Sequence, residues 1–324
     1  MDLLSAIQSP IMAELTEFRQ WLDGSLHTDN PVLSRILDHV QRGQGKMMRP
    51  MLVLLSAKLC GPVSPTTYQS AVALELLHNA SLVHDDVVDQ SERRRGLPSV
   101  EAKYGNRVAV LAGDFILATS LVQIADTHNP QITDLVARLG QVLVDGELWQ
   151  LALPELADYT EALYYHIIDR KTASLFATCA QCGALSVGAD NESVSRLRDY
   201  GQAVGRIFQV KDDIFDYFPE GPVGKPTRRD MAEGKLTLPV LFALGQHADP
   251  DALRVAARVL KQEATPQETD RLADFAIENG GIAYAQTAMA NERQRAIDAL
   301  SHFPHSPLTD ALQAYADYAA QRSM

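Results

Sequence analysis

The sequence predicts an all-α protein, and three observations support this fold class. Apolar residues recur every three or four positions along almost the whole chain, which is the period of an amphipathic helix. Alternating apolar and polar runs closed by Asn-Gly or Asp-Gly turns, the mark of β-hairpins, are nearly absent. Prolines fall between the periodic segments, and no composition shift divides the chain. We therefore expect a single helical domain over residues 1–324.

The individual helices are predicted from their start and stop signals. Asp29, Asn30 and Pro31 supply the cap and first turn of the second helix, and Gly43-Gln44-Gly45 interrupts the pattern after it. A helix from Pro50 ends near a turn that begins at Gly61. In chain order, the predicted helices span residues 3–22, 31–42, 50–60, 66–89, 106–127, 131–152, 160–188, 192–218, 236–247, 250–262, 266–277, 279–302 and 307–321.

The composition excludes several classes of protein. The net charge of −12 argues against binding to nucleic acid, which needs a basic surface. No apolar run is as long as a membrane span, and the first residues lack the basic and apolar regions of a signal peptide. Three cysteines in a chain of this length fit a reduced, cytoplasmic protein. An anionic substrate would have to bind through local basic clusters and metal.

Two Asp-Asp-x-x-Asp motifs, at residues 85–89 and 212–216, each end a long helical segment. The first and last aspartates of each motif share one helix face, where like charges four residues apart cost about 0.2–0.5 kcal/mol per pair. Neither segment carries enough basic residues to balance three carboxylates. Clustered carboxylates suit hard cations, and protein-bound Mg²⁺ commonly bridges to substrate phosphates. The motifs therefore predict magnesium sites for a phosphorylated substrate.

Basic runs accompany both motifs and make the signal specific, since a single acidic motif would more often be a surface patch. The runs are Gly45-Lys46-Met47-Met48-Arg49-Pro50, Ser91-Glu92-Arg93-Arg94-Arg95-Gly96, Asp169-Arg170-Lys171-Thr172, and Gly224-Lys225 continuing to Lys235. Taken in order, these motifs resemble the trans-isoprenyl diphosphate synthases, the polyprenyl synthetase family. The resemblance spans about residues 43–240 and continues more weakly through Gly280-Gly281-Ile282.

The resemblance implies both a fold and a reaction. The family has the isoprenoid synthase fold, with about ten or more core helices around a deep central cavity, and its members are usually homodimers. They ionise an allylic diphosphate, and the double bond of isopentenyl diphosphate attacks the resulting carbocation. The departing diphosphate then removes a proton, so no protein base is expected.

The resemblance also assigns roles to residues. The implied Mg²⁺ ligands are Asp85, Asp89 and Asp212, supported by Asp86, Asp213 and Asp216, with about three ions when substrate is bound. The cations expected around the allylic diphosphate are Arg94, Lys171, Lys225 and Lys235. The residues expected around isopentenyl diphosphate are Lys46, Arg49, His78 and Arg95. The oxygen dipoles expected to face the carbocation belong to Thr172 and Gln209. Met47 departs from the family pattern, which often has a basic residue there.

Small side chains below the first motif predict a medium- or long-chain product. Helical side chains lean toward the N-terminus, so Ser81 lies one turn below Asp85, with Ala80 beside it. In the family, a bulky aromatic at either position stops elongation early. We expect a precursor of a quinone side chain, and the floor of the cavity could be Trp149, Phe176 or Phe115. A shorter farnesyl or geranylgeranyl product is the alternative.

Two other functions compete with chain elongation. A class I terpene cyclase also ionises a diphosphate through an aspartate motif, but it would not need Lys46, Arg49 and Arg95. A non-catalytic partner subunit would be expected to have lost its aspartates, and both motifs are intact. The Cys179-x-x-Cys182 pair has no second pair to complete a zinc site, so we interpret both cysteines as small core residues.

Overall fold

The computed structural model describes residues 2–43, 45–155, 159–218 and 229–322. Within these ranges the chain is helical apart from turns and one pair of two-residue strands, so the predicted all-α fold is confirmed. Packing divides the chain into two compact units. Unit 1 comprises residues 1–138, 178–198 and 302–314, and unit 2 comprises residues 139–177, 199–301 and 315–324. The prediction of a single domain stays a prediction.

The first eight helices and the strand pair follow one another to residue 151. They are α1 (Leu3–Gln8), α2 (Met12–Ser25), α3 (Pro31–Arg42), α4 (Met48–Cys60), α5 (Pro65–Val88), β1 (Arg93–Arg94), β2 (Leu97–Pro98), α6 (Val100–Tyr104), α7 (Asn106–Asp126) and α8 (Pro130–Leu151). The predicted helix over residues 3–22 is interrupted by a short 3₁₀ turn at Ser9–Ile11. Pro10 accounts for this break, because proline inside a helix removes a backbone hydrogen bond.

The remaining helices start at residue 161. They are α9 (Glu161–Ile168), α10 (Ser174–Ser186), α11 (Asn191–Phe215), α12 (Arg229–Ala232), α13 (Leu238–Gln246), α14 (Pro250–Leu260), α15 (Pro266–Glu278), α16 (Gly281–Leu300) and α17 (Pro307–Gln321). A π-helical turn, Asp169–Ala173, joins α9 to α10, so the predicted segment 160–188 is one continuous helical stretch with a wider turn inside it.

The predicted start of α3 is formed as expected. The side chain of Asn30 accepts hydrogen bonds from the backbone N–H groups of Val32 and Leu33, and Pro31 occupies the first turn. These bonds satisfy two of the four amides that a helix leaves unpaired at its N-terminus.

Unit 1 is built around α5. Residues 70–80 of this helix are all buried, and α5 packs against α2, α4, α6 and α7. The Ser120 hydroxyl donates to the carbonyl of Ala73 at 2.7 Å, which fixes α7 against α5. A helix that is buried on all sides has little freedom to move. The first aspartate motif is therefore attached to a rigid support.

Unit 2 has a core formed by α13, α14, α15 and α16. Tyr217, directly after the second aspartate motif, belongs to this core and is 3% exposed. Its hydroxyl lies 3.1 Å from the hydroxyl of Thr237, which precedes α13. The end of the second motif is thus fixed by packing and by a buried hydrogen bond.

Helix α7 has an unusual surface. Among the described residues it is the one helix whose length and composition would allow it to cross a membrane, and 33% of its most apolar window is buried inside the protein. The exposed large apolar residues of this helix are Val110, Leu111, Leu121 and Val122.

Candidate active site

The first aspartate motif lies at the C-terminal end of α5. Asp85 is half-buried in the last turn, and Asp89 is exposed and caps the helix, with its backbone N–H donating to the Asp85 carbonyl at 2.8 Å. The C-terminus of a helix carries partial negative charge, and this last turn contains no basic residue. The local structure therefore disfavours these carboxylates, and a cation from elsewhere must compensate.

Asp86 has such a cation in Arg94. The Nε and Nη2 atoms of Arg94 donate to Asp86 Oδ1 at 3.0 and 2.6 Å, and Asp86 is 2% exposed. A carboxylate this deeply buried is costly unless it is paired. Arg94, which the sequence assigns to an allylic diphosphate, holds the middle aspartate of the first motif in this structure.

The hairpin of β1 and β2 positions the two arginines. Arg95 and Gly96 form its turn and both have positive φ, 49° and 81°, as a two-residue turn between twisted strands requires. Arg95 Nη1 donates to the carbonyl of Gly43 at 2.8 Å. A Cβ at Gly45 would lie 3.1 Å from Arg95 Cζ, so glycine allows the guanidinium to approach the segment before α4.

A group of positive charges surrounds His78, which is buried on α5. Burial lowers the pKa of His78 well below its ordinary value, and the neighbouring Arg49, Arg95 and Arg94 lower it further. The imidazole is therefore neutral at physiological pH, and three guanidinium groups lie within electrostatic range. The structure thus brings together four residues that the sequence predicts as diphosphate contacts.

Glu75 lies one turn before His78 and belongs to the same group. It is 3% exposed, and burial raises its pKa while Arg49 and Arg95 oppose that change. Glu75 is not among the residues that the sequence predicts for the site. Its spacing of three residues from His78 is the signal that could have identified it.

A small cleft of about 50 Å³, partly open to solvent, lies beside this group in unit 1. Apolar residues of α3, α5, β2 and α6 form part of its lining, and its polar lining comes from His39, Asn79, Asp86, Arg94, Arg95 and Ser99. The cleft combines guanidinium donors with an apolar wall.

Lys46 and Met47 precede α4, and Lys46 is exposed. Met47 has a left-handed backbone with φ of 56°, which is unfavourable for a residue with a side chain. Such strain is often found at functional sites. On α5, Ala80 is 1% exposed, and the half-buried Ser81 donates its hydroxyl to the His78 carbonyl at 2.9 Å.

The second aspartate motif lies at the end of α11, in unit 2. Asp212 accepts a hydrogen bond from Arg322 Nη2 at 2.5 Å. Asp216 lies just beyond the helix and accepts the backbone N–H groups of Arg229 and Asp230 at 2.8 and 3.1 Å, so that it caps α12. Each of these carboxylates therefore has a defined orientation.

Asp213, the middle aspartate, is buried at 2% exposure. It accepts hydrogen bonds from the Tyr164 hydroxyl at 2.5 Å and from Gln209 Nε2 at 2.9 Å. Burial raises its pKa, and the nearby charge of Asp230 adds to this effect. The middle aspartates of both motifs are thus buried and hydrogen-bonded to protein groups.

Thr172 and Gln209 are in contact, as their shared predicted role requires. The Thr172 hydroxyl donates to Gln209 Oε1 at 2.8 Å, and Gln209 in turn donates to Asp213. Thr172 lies in the π-helical turn, a feature that is frequent at functional sites. A chain of hydrogen bonds thus joins Thr172 to the second motif.

Lys171 occupies the same π-helical turn. Its ammonium group donates to Gln150 Oε1 at 2.8 Å and lies 2.7 Å from Glu147 Oε2, both on α8. Gly146 permits this approach, because a Cβ there would lie 2.9 Å from Lys171 Cγ. Lys171 is therefore held by α8 rather than by a motif aspartate.

The glycines of α11 serve close packing. A Cβ at Gly201 would lie 2.6 Å from the carbonyl oxygen of Phe176, and a Cβ at Gly205 would lie 2.5 Å from Ala173 Cα. The glycines that the sequence places inside this helix therefore make room for a neighbouring helix and for the π-helical turn.

Lys235 and Lys225 are the remaining two lysines predicted for the allylic diphosphate. Lys235 Nζ donates to Glu233 Oε2 at 2.6 Å in the turn after α12. Lys225 lies outside the described residues. Its assignment to the allylic diphosphate stays a prediction.

Tyr164 and Arg322 contact the second motif, and the sequence does not predict either contact. Tyr164 lies on α9, two turns before Lys171, and Arg322 follows α17. Neither lies near the aspartates in sequence or within a recognisable pattern. Only tertiary structure places them there.

The carboxylate donors fit a magnesium ion. In the described part of the chain, no group of three or more His, Cys, Asp or Glu side chains is arranged to hold a metal by itself. Mg²⁺ does not require such a cage, because it commonly keeps several waters and uses one or two carboxylates together with substrate phosphates. Asp85, Asp89 and Asp212 offer the hard oxygen atoms that this mode of binding needs.

The two cysteines of the Cys-x-x-Cys pair are both free and fully buried. Burial raises the pKa of Cys179 and Cys182, so both remain thiols. This agrees with their interpretation as small core residues.

Comparisons with known proteins point to one family. The profile of the family described as polyprenyl synthetase matches residues 30–275. The octaprenyl diphosphate synthase of Haemophilus influenzae is 32% identical over 325 residues, covering 99% of this chain and 98% of that protein.

Two solved structures are similar over nearly the whole chain. The geranylgeranyl pyrophosphate synthase of Bacteroides thetaiotaomicron is 44% identical, with a TM-score of 0.88, covering 99% of this chain and 100% of that one. A polyprenyl synthase from Caulobacter crescentus, complexed with calcium and isoprenyl diphosphate, is 30% identical, with a TM-score of 0.91 and 98% of each chain covered.

Proposed function

The chain belongs to the polyprenyl synthetase family, and from this premise we propose that it is a Mg²⁺-dependent trans-polyprenyl diphosphate synthase. It condenses isopentenyl diphosphate with an allylic diphosphate and so belongs to isoprenoid biosynthesis. One observation carries this proposal: Arg49, Arg94 and Arg95 lie around the neutral side chain of His78. His78 belongs to α5, the helix that ends in the first aspartate motif.

Condensation needs two different diphosphate sites. One diphosphate must leave, which requires strong charge neutralisation, and carboxylates that bind divalent ions suit this task. The other must only be held, which guanidinium groups do without a metal. The arginine cluster supports the site that holds the isopentenyl diphosphate. A terpene cyclase binds a single diphosphate substrate and does not need this site.

Asp85, Asp89 and Asp212 would hold the magnesium ions, about three when substrate is bound. When present, the ions supply Lewis-acid stabilisation of the leaving diphosphate. Arg94 pairs with the Asp86 carboxylate and orients it, whereas Tyr164 and Gln209 orient Asp213. Hydrogen bonds thus hold the middle aspartate of each motif in a fixed orientation.

Thr172 and Gln209 would stabilise the carbocation. The Thr172 hydroxyl donates its proton to Gln209 Oε1, with 2.8 Å between the two oxygen atoms. The lone pairs of the hydroxyl oxygen therefore point away from Gln209. An oxygen dipole fixed in this way can stabilise positive charge without reorganising during the reaction.

The product is proposed to be medium- or long-chain, a precursor of a quinone side chain. The small side chains of Ala80 and Ser81 support this length, as does the octaprenyl diphosphate synthase among the relatives. Geranylgeranyl diphosphate is the second candidate product, favoured by the 44% identity to a geranylgeranyl pyrophosphate synthase.

The enzyme is proposed to be a cytoplasmic homodimer. Residues 110, 111, 121 and 122 form an exposed apolar stripe on α7, and soluble monomers rarely expose a patch of this kind. A second copy related by two-fold symmetry would cover the stripe with the same residues.

The test is incubation of the purified protein with Mg²⁺, isopentenyl diphosphate and farnesyl diphosphate, followed by sizing of the dephosphorylated products. Polyprenols longer than geranylgeraniol are expected. Elongation that stops at geranylgeraniol would favour the second candidate. Cyclic hydrocarbon, or turnover only after a partner protein is added, would overturn the proposal.

A further inference from the structure

Arg322, immediately after α17, is held at the second aspartate motif by several contacts within unit 2. Its Nη2 atom donates to Asp212 Oδ1 at 2.5 Å and to the carbonyl of Phe208 at 3.1 Å. The guanidinium carbon lies 3.7 Å from the centre of the Phe208 ring and 5.6 Å from that of Phe215. The side chain is 15% exposed. These contacts hold the guanidinium group in one defined position.

This position has consequences for charge. Arg322 neutralises Asp212, which stands at the negative end of α11. Lys211, whose ammonium lies 4.7 Å from the Phe215 ring centre, is repelled by Arg322, and its pKa is lowered by burial and by this charge. Arg322 is thus a cation in direct contact with Asp212 Oδ1.

A guanidinium group and a divalent ion compete for the same oxygen atom. Asp212 Oδ1 is one of two oxygen atoms that this carboxylate can offer to a metal, and Arg322 uses it at hydrogen-bond distance. Asp212 is 43% exposed, so an ion can approach from solvent while Arg322 is in place.

We propose that Arg322 is a displaceable counter-ion of Asp212. It orients this carboxylate and balances its charge when no metal is bound, and it releases Oδ1 when a divalent ion binds. Metal binding at the second motif is thereby coupled to the position of the C-terminal residues, and the coupling acts equally in both directions. The inference deepens the proposed function and rests on it for the identity of Asp212 as a metal ligand.

The test is the affinity for Mn²⁺, measured by the loss of free-ion electron paramagnetic resonance signal, with inorganic diphosphate present and prenyl substrates absent. Arg322→Ala should bind Mn²⁺ about three- to tenfold more tightly, because the ion no longer displaces the guanidinium group. Arg322→Lys retains the charge without the forked contact and should have an intermediate affinity.

Arg293→Ala is the matched control. It removes a guanidinium group from Asp317, also on α17, without touching Asp212, and should leave Mn²⁺ affinity unchanged. Circular dichroism verifies that each variant is folded. Unchanged or weaker Mn²⁺ binding in Arg322→Ala would overturn the inference, and so would a wild-type protein that binds no Mn²⁺. Because prenyl transfer is not measured, failure of the proposed function would appear separately, in the product assay.

Discussion

At the scale of single residues, the two aspartate motifs share one arrangement. The middle aspartate of each, Asp86 or Asp213, is buried and hydrogen-bonded to protein groups. The first aspartates, Asp85 and Asp212, are only half-buried. The sequence could predict that the first and last aspartates of each motif share one helix face, because spacing alone determines this. It could not predict Arg322, because that contact joins residues 110 positions apart.

His78 gives a prediction about stability and pH. Its pKa is lowered in the folded protein, so the unfolded chain takes up a proton near pH 6.5 while the folded chain does not. The stability it contributes is therefore complete above about pH 6.5 and lost as the pH falls. Between about pH 7.5 and 5.5, the wild type should lose about 1.4 kcal/mol of unfolding free energy relative to His78→Gln.

Urea unfolding at both pH values measures this difference. His27→Gln, which changes an exposed histidine outside this cluster, is the control. A constant difference between wild type and His78→Gln would show that the ring is not held neutral.

At the scale of elements, α5 carries most of the predicted site of unit 1. Its buried stripe, with Glu75 and His78 below Asp85, could be predicted from helical periodicity. The hairpin of β1 and β2 could not, because its turn is Arg95-Gly96 rather than Asn-Gly or Asp-Gly. The π-helical turn could not be predicted either, because one extra residue in a turn does not visibly change the spacing of the apolar residues.

The small residues of α5 give a prediction about product length. Ser81→Phe and Ala80→Tyr should each shorten the product to farnesyl or geranylgeranyl diphosphate, because an aromatic ring would occupy pocket volume below Asp85. Product chromatography checks this. Ser301→Phe, which adds the same ring at an exposed serine, should leave the length unchanged. Unaltered product length in both α5 variants would refute this view of the pocket.

At the scale of the whole molecule, the net charge of −12 contrasts with the local arginine cluster of unit 1. An anionic substrate meets an overall repulsive field, so local cations and metal must provide its binding. The all-α class could be predicted because helical periodicity is a property of each segment separately. The division into two packed units could not, because their segments alternate along the sequence.

The exposed stripe of α7 gives a prediction about assembly. Leu111 and Leu121 are 68% and 54% exposed, and a glutamate at either position would bury a charge in a dimer interface. Leu111→Glu and Leu121→Glu should therefore reduce the mass measured by light scattering from dimer to monomer. Leu253→Glu, at an exposed leucine of α14, should remain dimeric. A monomeric wild type, or dimeric α7 variants, would contradict the proposed interface.

The central claim is that both aspartate motifs bind the ions that ionise the allylic substrate. The most direct measurement is the rate of prenyl transfer by Asp85→Ala and Asp212→Ala, with helix content verified by circular dichroism. Each variant should lose roughly a hundredfold or more in turnover, because Lewis-acid stabilisation is worth several kcal/mol. Asp134→Ala, at an exposed surface pair with Arg138, should retain wild-type turnover. Near-wild-type rates in either motif variant would contradict the metal assignment.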